Sequence, residues 1–346
     1  MAFNKLAIDR RQALRSGAAA SAALVLAPLA AGCSTPPPAG GPQAVQAAMQ
    51  RFAALAPEGS HGLVHAAGAQ GAPRAWQVQH QPDRVLFVGS AVKTFIAAQF
   101  LRDVEAGRNG LSEDMQCEVS DRFRSPGSPV LVGLQGRMPY RSALEAMIAH
   151  SDNTATDIVL DAVGADRVRA LIAQRGFSAT RIPDSTRKLF SYMAGAPSGQ
   201  DLGWDGMQRM GQGDTMGFTA RTNVVNEHQS MVSTAAEMVR WYRQTLSPGF
   251  FSHAATLAEY QRIHAMANAL PMVVPAGLAS YGKGGSIDWE DFHCLSVAGQ
   301  MVADGIPVTF CFTCNWSGGL KSTERTAEFV AAVAKVLEAA AASAKA

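Results

Sequence analysis

Three short stretches hold side chains that could act together: Ser90-Ala91-Val92-Lys93, Ser151-Asp152-Asn153 and Lys283-Gly284-Gly285-Ser286. The first sets a hydroxyl and an amine one helical turn apart, on one helix face. A serine at the mouth of a helix meets unpaired backbone N–H groups and the positive end of the helix dipole, both of which stabilise an oxyanion. The lysine can take the serine's proton if burial and neighbouring cations lower its pKa. The second stretch adds another hydroxyl, a carboxylate and an amide. The third adds a cation on an extended segment whose two glycines let a ligand backbone come close. Nucleophilic acyl transfer through a serine ester is the chemistry such a set could perform.

Singly, each stretch has an ordinary explanation. Ser, Asp and Asn are preferred helix caps, and Lys-Gly-Gly suits a hairpin turn. The spacing Ser-x-x-Lys even recurs at Ser185-Thr186-Arg187-Lys188, which reads as a solvated loop. Order along the chain is what raises the three above background. Ser-x-x-Lys, then Ser-Asp-Asn about sixty residues on, then Lys-x-Gly near the C-terminus is the set found in class A β-lactamases and penicillin-binding proteins. The sequence resembles that superfamily. The similarity extends through Ser151-Asp152-Asn153-Thr154-Ala155-Thr156-Asp157, Ser233-Thr234-Ala235-Ala236-Glu237-Met238 and the final strands and helix, across most of residues 44–340.

The resemblance implies roles. Ser90 would attack the carbonyl of a cyclic amide or peptide while Lys93 takes its proton, and Ser151 would relay a proton to the leaving nitrogen. Asn153 would bind the substrate's acylamide and steady Lys93, with Asp152 holding the loop. Lys283, next to Gly285 and Ser286, would attract a substrate carboxylate, and the backbone N–H groups of Ser90 and Ser286 would form the oxyanion hole.

Three departures bear on activity. The Glu-x-x-Leu-Asn stretch that supplies the deacylating base in class A β-lactamases has Thr186-Arg187-Lys188-Leu189-Phe190 as its best counterpart, without the glutamate or the asparagine. Glu227 and His228 are substitute candidates for that base, against the plainer reading of an exposed loop pair. Gly284 stands where Thr or Ser is usual, and residues 195–226 are much longer than the corresponding family loop. The resemblance therefore implies a β-lactamase-type serine hydrolase. A D-Ala-D-Ala peptidase like the penicillin-binding proteins is the second reading, and a β-lactam or muropeptide sensor that reacts once is the third.

The elements that must position these residues follow from periodicity. A helical apolar period covers residues 44–55, and 62–88 reads as short strands between Gly-, Pro- and Asp-rich turns. Helices are expected over 90–105, 140–148, 154–162, 165–175, 234–246 and 256–269, strands over 280–284, 292–301 and 307–315, and a long helix from 323 onward. Strands at both ends around a helical middle predict an α/β (α+β) fold, with one antiparallel sheet flanked by terminal helices plus an all-helical domain. The α/β part would comprise 44–88 and 270–346, and the helical part 89–269, with an enlarged loop near 190–232. Residues 195–217, rich in Gly, Met, Gln and Asp, read as a long surface loop.

Composition narrows the partners. A chain of 346 residues can bury a full core, and a net charge of +2 with 17% charged residues gives no basic stripe for nucleic acid. Residues 1–33 read as an address: Arg10-Arg11, an uncharged apolar run, then Leu29-Ala30-Ala31-Gly32-Cys33, a twin-arginine signal ending in a lipoprotein-type box with Cys33 as the lipidated residue. Residues 34–43 form a Pro/Gly-rich tether. A monomer in the periplasm or cell envelope, held by its lipid and acting on a small β-lactam or peptidoglycan-derived peptide without a cofactor, is expected. Cys117, Cys294, Cys311 and Cys314 remain in a compartment that permits disulfides, with their pairing undetermined. Cys311-x-x-Cys314 lies on a strand whose period of two turns the thiols to opposite faces, which argues against a metal site.

Overall fold

The computed structural model describes residues 41–68 and 75–344. The signal segment, Cys33 and residues 34–40 of the tether lie outside the described residues, while Pro42 and Gln43, expected to end the tether, already belong to the first helix. Helix α1 is Pro42–Ala53, opened by a proline that needs no N–H partner. Strands β1 (Ser60–Ala66), β2 (Trp76–His80) and β3 (Leu86–Phe87) follow, then a 3₁₀ turn, Gly89–Val92, that runs into α2 (Lys93–Glu105). The hairpin β4 (Gln116–Val119) and β5 (Gly136–Pro139) leads to α3 (Tyr140–Ala149), α4 (Asn153–Val163), α5 (Ala165–Gln174), α6 (Thr186–Met193) and α7 (Gly203–Gly211). The chain continues through β6 (Val232–Ser233), α8 (Ala235–Thr245), α9 (Ala254–Ala265) and the single turn α10 (Leu270–Val273). It closes with β7 (Ala279–Trp289), β8 (Phe292–Ala303), β9 (Ile306–Ser317) and α11 (Ser322–Ala344).

One sheet joins the two ends of the described chain. Its order is β2-β1-β9-β8-β7, and every neighbouring pair is antiparallel. Asp304 and Gly305, both at positive φ, make the tight turn between β8 and β9. Helices α1 and α11 pack together and cover one face, where Phe52 meets Phe312 at 5.0 Å and Phe329 at 6.0 Å. Helix α8 lies across β1, β8 and β9 and joins the sheet to the helical part, whose innermost helix is α2.

The predicted architecture holds, with local corrections. The 3₁₀ turn carries Ser90, so the α-helix proper starts at Lys93. Strand β7 runs past its glycines to Trp289, because pairing with the whole of β8 compensates their weak strand preference. The segment expected to be one helix over 256–269 is α9, which ends at Ala265, followed by α10. Ser185–Lys188 is no solvated loop: Ser185 caps α6, and Thr186 and Arg187 are buried. Their burial depends on Asp157, a partner on another helix that no local pattern announces. The long loop expected over 195–217 contains α7, tied back by the Arg187–Asp201 ion pair at 2.7 Å.

Candidate active site

Ser90 owes its position to contacts on both sides of its turn. The Asn315 side chain of β9 accepts from Phe87 N–H and donates to the Phe87 carbonyl, each at 2.8 Å, which pins β3 to the sheet. Val88 N–H donates to the Met231 carbonyl at 2.8 Å. The turn then rests on β7 at Gly285. A Cβ there would lie 2.9 Å from Ser90 N and 3.0 Å from Ala91 N and would collide with the Val88 carbonyl. Only glycine permits that approach. It brings the amide of Ser90 beside Ser286, whose N would be 3.2 Å from a Cβ on Gly89.

Lys93, wholly buried one turn after Ser90, points at the turn between α3 and α4. Its Nζ donates to the Asn153 Oδ1 at 2.7 Å and the Ser151 carbonyl at 2.8 Å, with Ser151 Oγ at 3.5 Å. Burial brings its pKa down from 10.5 to about 7, against the opposing pull of Asp152 and Asp157. A neutral amine has a lone pair, so Ser151 Oγ–H can then donate to it. Ser151 is held at φ 60°, in the left-handed region that a residue with a side chain occupies at a cost.

Asp152 and Asn153 build the frame of that turn. Asp152 Oδ2 accepts from Val130 N and Leu131 N at 2.9 Å each, while its Oδ1 caps α4 through Ala155 N at 2.8 Å. Its carboxylate is thus spent on the loop that forms the rim. Asn153 Nδ2 donates to the Pro126 carbonyl at 2.6 Å, which aims its oxygen at Lys93. Buried Arg124 gathers the carbonyls of Leu131, Val132 and Leu134 and stiffens the same rim.

Lys283 enters from β7, also fully buried, with Nζ donating to the Gly284 carbonyl at 2.8 Å. Burial and the charge of Lys93 hold its pKa well below the usual lysine value. Two amines within electrostatic reach therefore share a site that disfavours two positive charges. The side chain absent at Gly284 has its space taken by Ala269, whose Cβ would be 2.6 Å from a Cβ there.

The structure thus draws together Ser90, Lys93, Ser151, Asn153, Lys283, Gly285 and Ser286. It does not bring Glu227 into that group. The Glu227 carboxylate is 82% exposed and pairs with Arg181 at 3.1 Å, and the His228 ring lies tilted against Tyr192 with centroids 5.6 Å apart. Sequence reading missed the residues that stand under Asn153. Thr186 Oγ1 lies 3.2 Å from the Asn153 carbonyl, 2.8 Å from Asp157 Oδ1 and 2.8 Å from Ser125 Oγ. Asp157 also accepts from the backbone N–H groups of Thr186 and Arg187, and burial raises its pKa from 3.8 to about 6. Its place four residues after Asn153 on one helix face was the available signal. Cys117, Cys294, Cys311 and Cys314 are buried free thiols, and among the described residues no group of three or more His, Cys, Asp or Glu side chains could hold a metal ion.

An antiparallel sheet under two terminal helices, joined to a helical part, with a buried lysine one turn after a serine at the seam, defines the β-lactamase/transpeptidase-like class of serine hydrolases. The chain belongs to the β-lactamase enzyme family, whose model matches residues 48–286. In fold it is similar to a β-lactamase from Sphaerobacter thermophilus, at 19% identity over 86% of this chain and 95% of that one, with a TM-score of 0.64. It is also similar to the chromosome-encoded β-lactamase of Vibrio parahaemolyticus, at 17% identity over 85% and 98% of the chains and a TM-score of 0.62. PBP-A aligns at 14% identity over 85% and 95%, with a TM-score of 0.60. No curated protein matches the sequence.

Proposed function

We propose that the chain is a serine acyl hydrolase that forms an ester at Ser90 with β-lactams or related amides. One observation carries this reading: a fully buried Lys93, poised to lose its proton near neutral pH, is anchored by Asn153 and the Ser151 turn one helical turn from Ser90. Lys93 as the free amine takes the Ser90 proton as Oγ attacks the carbonyl. The oxyanion is met by the amides of Ser90 and Ser286, which Gly285 allows to stand side by side. The Ser151 hydroxyl passes a proton to the departing nitrogen and is recharged from Lys93. Lys283 attracts the substrate's carboxylate.

Release of the acyl group favours a second reading. Thr186, the counterpart of the glutamate that activates water in class A β-lactamases, is buried and committed to Asp157 and Ser125. A long-lived acyl-enzyme follows, as suits a peptidase that passes its acyl group on, or a sensor. Intact-protein mass spectrometry with a penicillin, beside a chromogenic cephalosporin assay, tests both. A lasting adduct on Ser90, lost in Ser90→Ala, supports slow release, and rapid turnover with free enzyme recovered supports a β-lactamase. An enzyme that gains no mass and hydrolyses nothing overturns the β-lactam reading. The Arg10-Arg11 pair and the box ending in Cys33 support a lipid-tethered location for this activity in the cell envelope. Cys33→Ala is expected to move the protein from the membrane to the soluble fraction, and retention in the membrane would contradict the tether.

A further inference from the structure

Away from the acyl-transfer site, one corner of the helical part holds more carboxylates than cations. Glu113, Asp114, Glu145 and Glu259 meet there with Arg141 and Arg262. Glu259 of α9 takes the larger share of the two guanidiniums. Its Oε1 accepts from Arg141 Nη1 at 2.9 Å and from Arg262 Nη2 at 2.7 Å, and its Oε2 accepts from Arg262 Nε at 2.7 Å. Glu145 of α3 also accepts from Arg262 Nη2, at 2.7 Å, and exposed Asp114 leans on Arg141 Nη2 at 3.5 Å. Glu113 is left with the same Arg141 Nη1 that Glu259 uses, its Oε1 3.3 Å away. That oxygen is shut off from solvent and has no hydrogen-bond partner among the described residues.

The backbone holds Glu113 in this competition. Its carbonyl accepts from Arg141 N at 2.8 Å, and the Met115 carbonyl accepts from Tyr140 N at 3.0 Å, which fixes the segment to the first turn of α3. An ionised Glu113 would set a second negative charge beside Glu259, on a cation already taken, with one oxygen dry and unpaired. A proton removes each of these costs. It makes Glu113 a donor, with the Glu259 carboxylate in reach. Burial first, then that hydrogen bond and the charge of Glu259, raise the Glu113 carboxyl from 4.5 to about 7, while hydrogen bonds from Arg262 and Glu113 hold Glu259 below its ordinary value. Charged groups on the other elements around α9 are engaged elsewhere. Glu105 of α2 faces His253, 3.7 Å away at the start of α9, and Lys93 of α2 is bonded to Asn153 and the Ser151 carbonyl. His264 is bonded to Thr94 and the Tyr260 carbonyl, and Lys283 of β7 to the Gly284 carbonyl.

We propose that Glu113 and Glu259 share a proton and form a pH-sensitive staple between the segment before β4 and helix α9, closed while Glu113 is protonated and loosened as it ionises. The helix so held is the one packed on α2 and β7, the elements that carry Lys93 and Lys283. A carboxyl whose pKa in the folded protein stands above its unfolded value adds stability in acid, and that stability is lost as pH rises through about 7.

Carboxyl ¹³C resonances of the glutamate-labelled protein test the pair directly, with no need for activity. Glu113, assigned through its backbone amide, is expected to titrate at about 7 and to carry the Glu259 signal with it. Two carboxyls that have both finished ionising by about pH 5 overturn the proposal. Denaturant unfolding of the parent and of Glu113→Gln tests the staple. The glutamine amide donates to Glu259 as the protonated carboxyl does, and it has no proton to lose. The parent's unfolding equilibrium constant, divided by that of Glu113→Gln, is expected to rise about tenfold between about pH 5 and about pH 8, a factor discounted for solvent screening at this half-buried corner. At the upper pH the glutamine protein is then the more stable of the two. A ratio that does not change with pH overturns the proposal. Hydrogen exchange at about pH 8 places the effect: the amides of α9 should open more often in the parent than in Glu113→Gln, and equal protection of α9 in the two proteins contradicts the staple. The resonances require no variant, so they decide even where Glu113→Gln does not fold.

Discussion

Replacing Thr186 by glutamate, together with Asp157→Asn, is expected to turn slow release of the acyl group into turnover. Thr186 begins α6 directly beneath Asn153, and a carboxylate in the first turn of that helix is favoured by its dipole. Thr186→Glu alone is the wrong experiment. It forfeits the Thr186 hydroxyl bonds to Asp157 and Ser125 and sets two carboxylates against each other, a repulsion of about 4 kcal/mol at a separation of about 4 Å and an effective dielectric of about 20. Asp157→Asn relieves it. The amide oxygen still accepts from Thr186 N, which now meets Oδ1, while the longer bond from Arg187 N to Oδ2 is given up; against that loss, the rise of Asp157 from 3.8 to about 6 marks about 3 kcal/mol of unfavourable carboxylate burial that an amide avoids. Because a positioned general base contributes about 10²- to 10⁴-fold, the penicilloyl-enzyme lifetime should shorten at least about 100-fold. Stopped-flow mixing followed by mass spectrometry measures that lifetime. A parent protein that releases its acyl group as fast as the double variant would refute the reasoning, and so would a folded double variant with an unchanged lifetime.

The acylation rate of the parent protein should climb with pH through about 7, where the Lys93 amine loses its proton, and Lys93→Met should cut it at every pH. Because the folded value lies below the ordinary 10.5, the unfolded chain binds more protons between the two, and this group makes stability rise with pH over that window, as denaturant titrations from pH 7 upward would show. Asp152→Ala strips the carboxylate from three backbone N–H groups, so a loss of about 3 kcal/mol is expected, read as a fall in Tm of about 5 °C. Glu227→Gln should leave release of the acyl group within about twofold of the parent, since a rim ion pair is worth little; a larger slowing would restore Glu227 as a candidate base.

The residue order by itself determined the fold class, most elements and the motif set. Those depend on period and on spacing, which are local: apolar residues every three or four positions in α2 and α4, the strand-forming runs of β8 and β9, and the glycines of β7. Tertiary structure alone decided what the polar residues do. The sequence assigns Thr186 to a loop, yet Asp157, 29 positions earlier, holds it in the interior by accepting a hydrogen bond from its hydroxyl. Glu227 reads as a base until the fold pairs it outside with Arg181, and His264 and Thr94 carry no motif although they are hydrogen-bonded across 170 positions. Burial, pKa and donor direction are set by neighbours distant along the chain, and only packing chooses those neighbours.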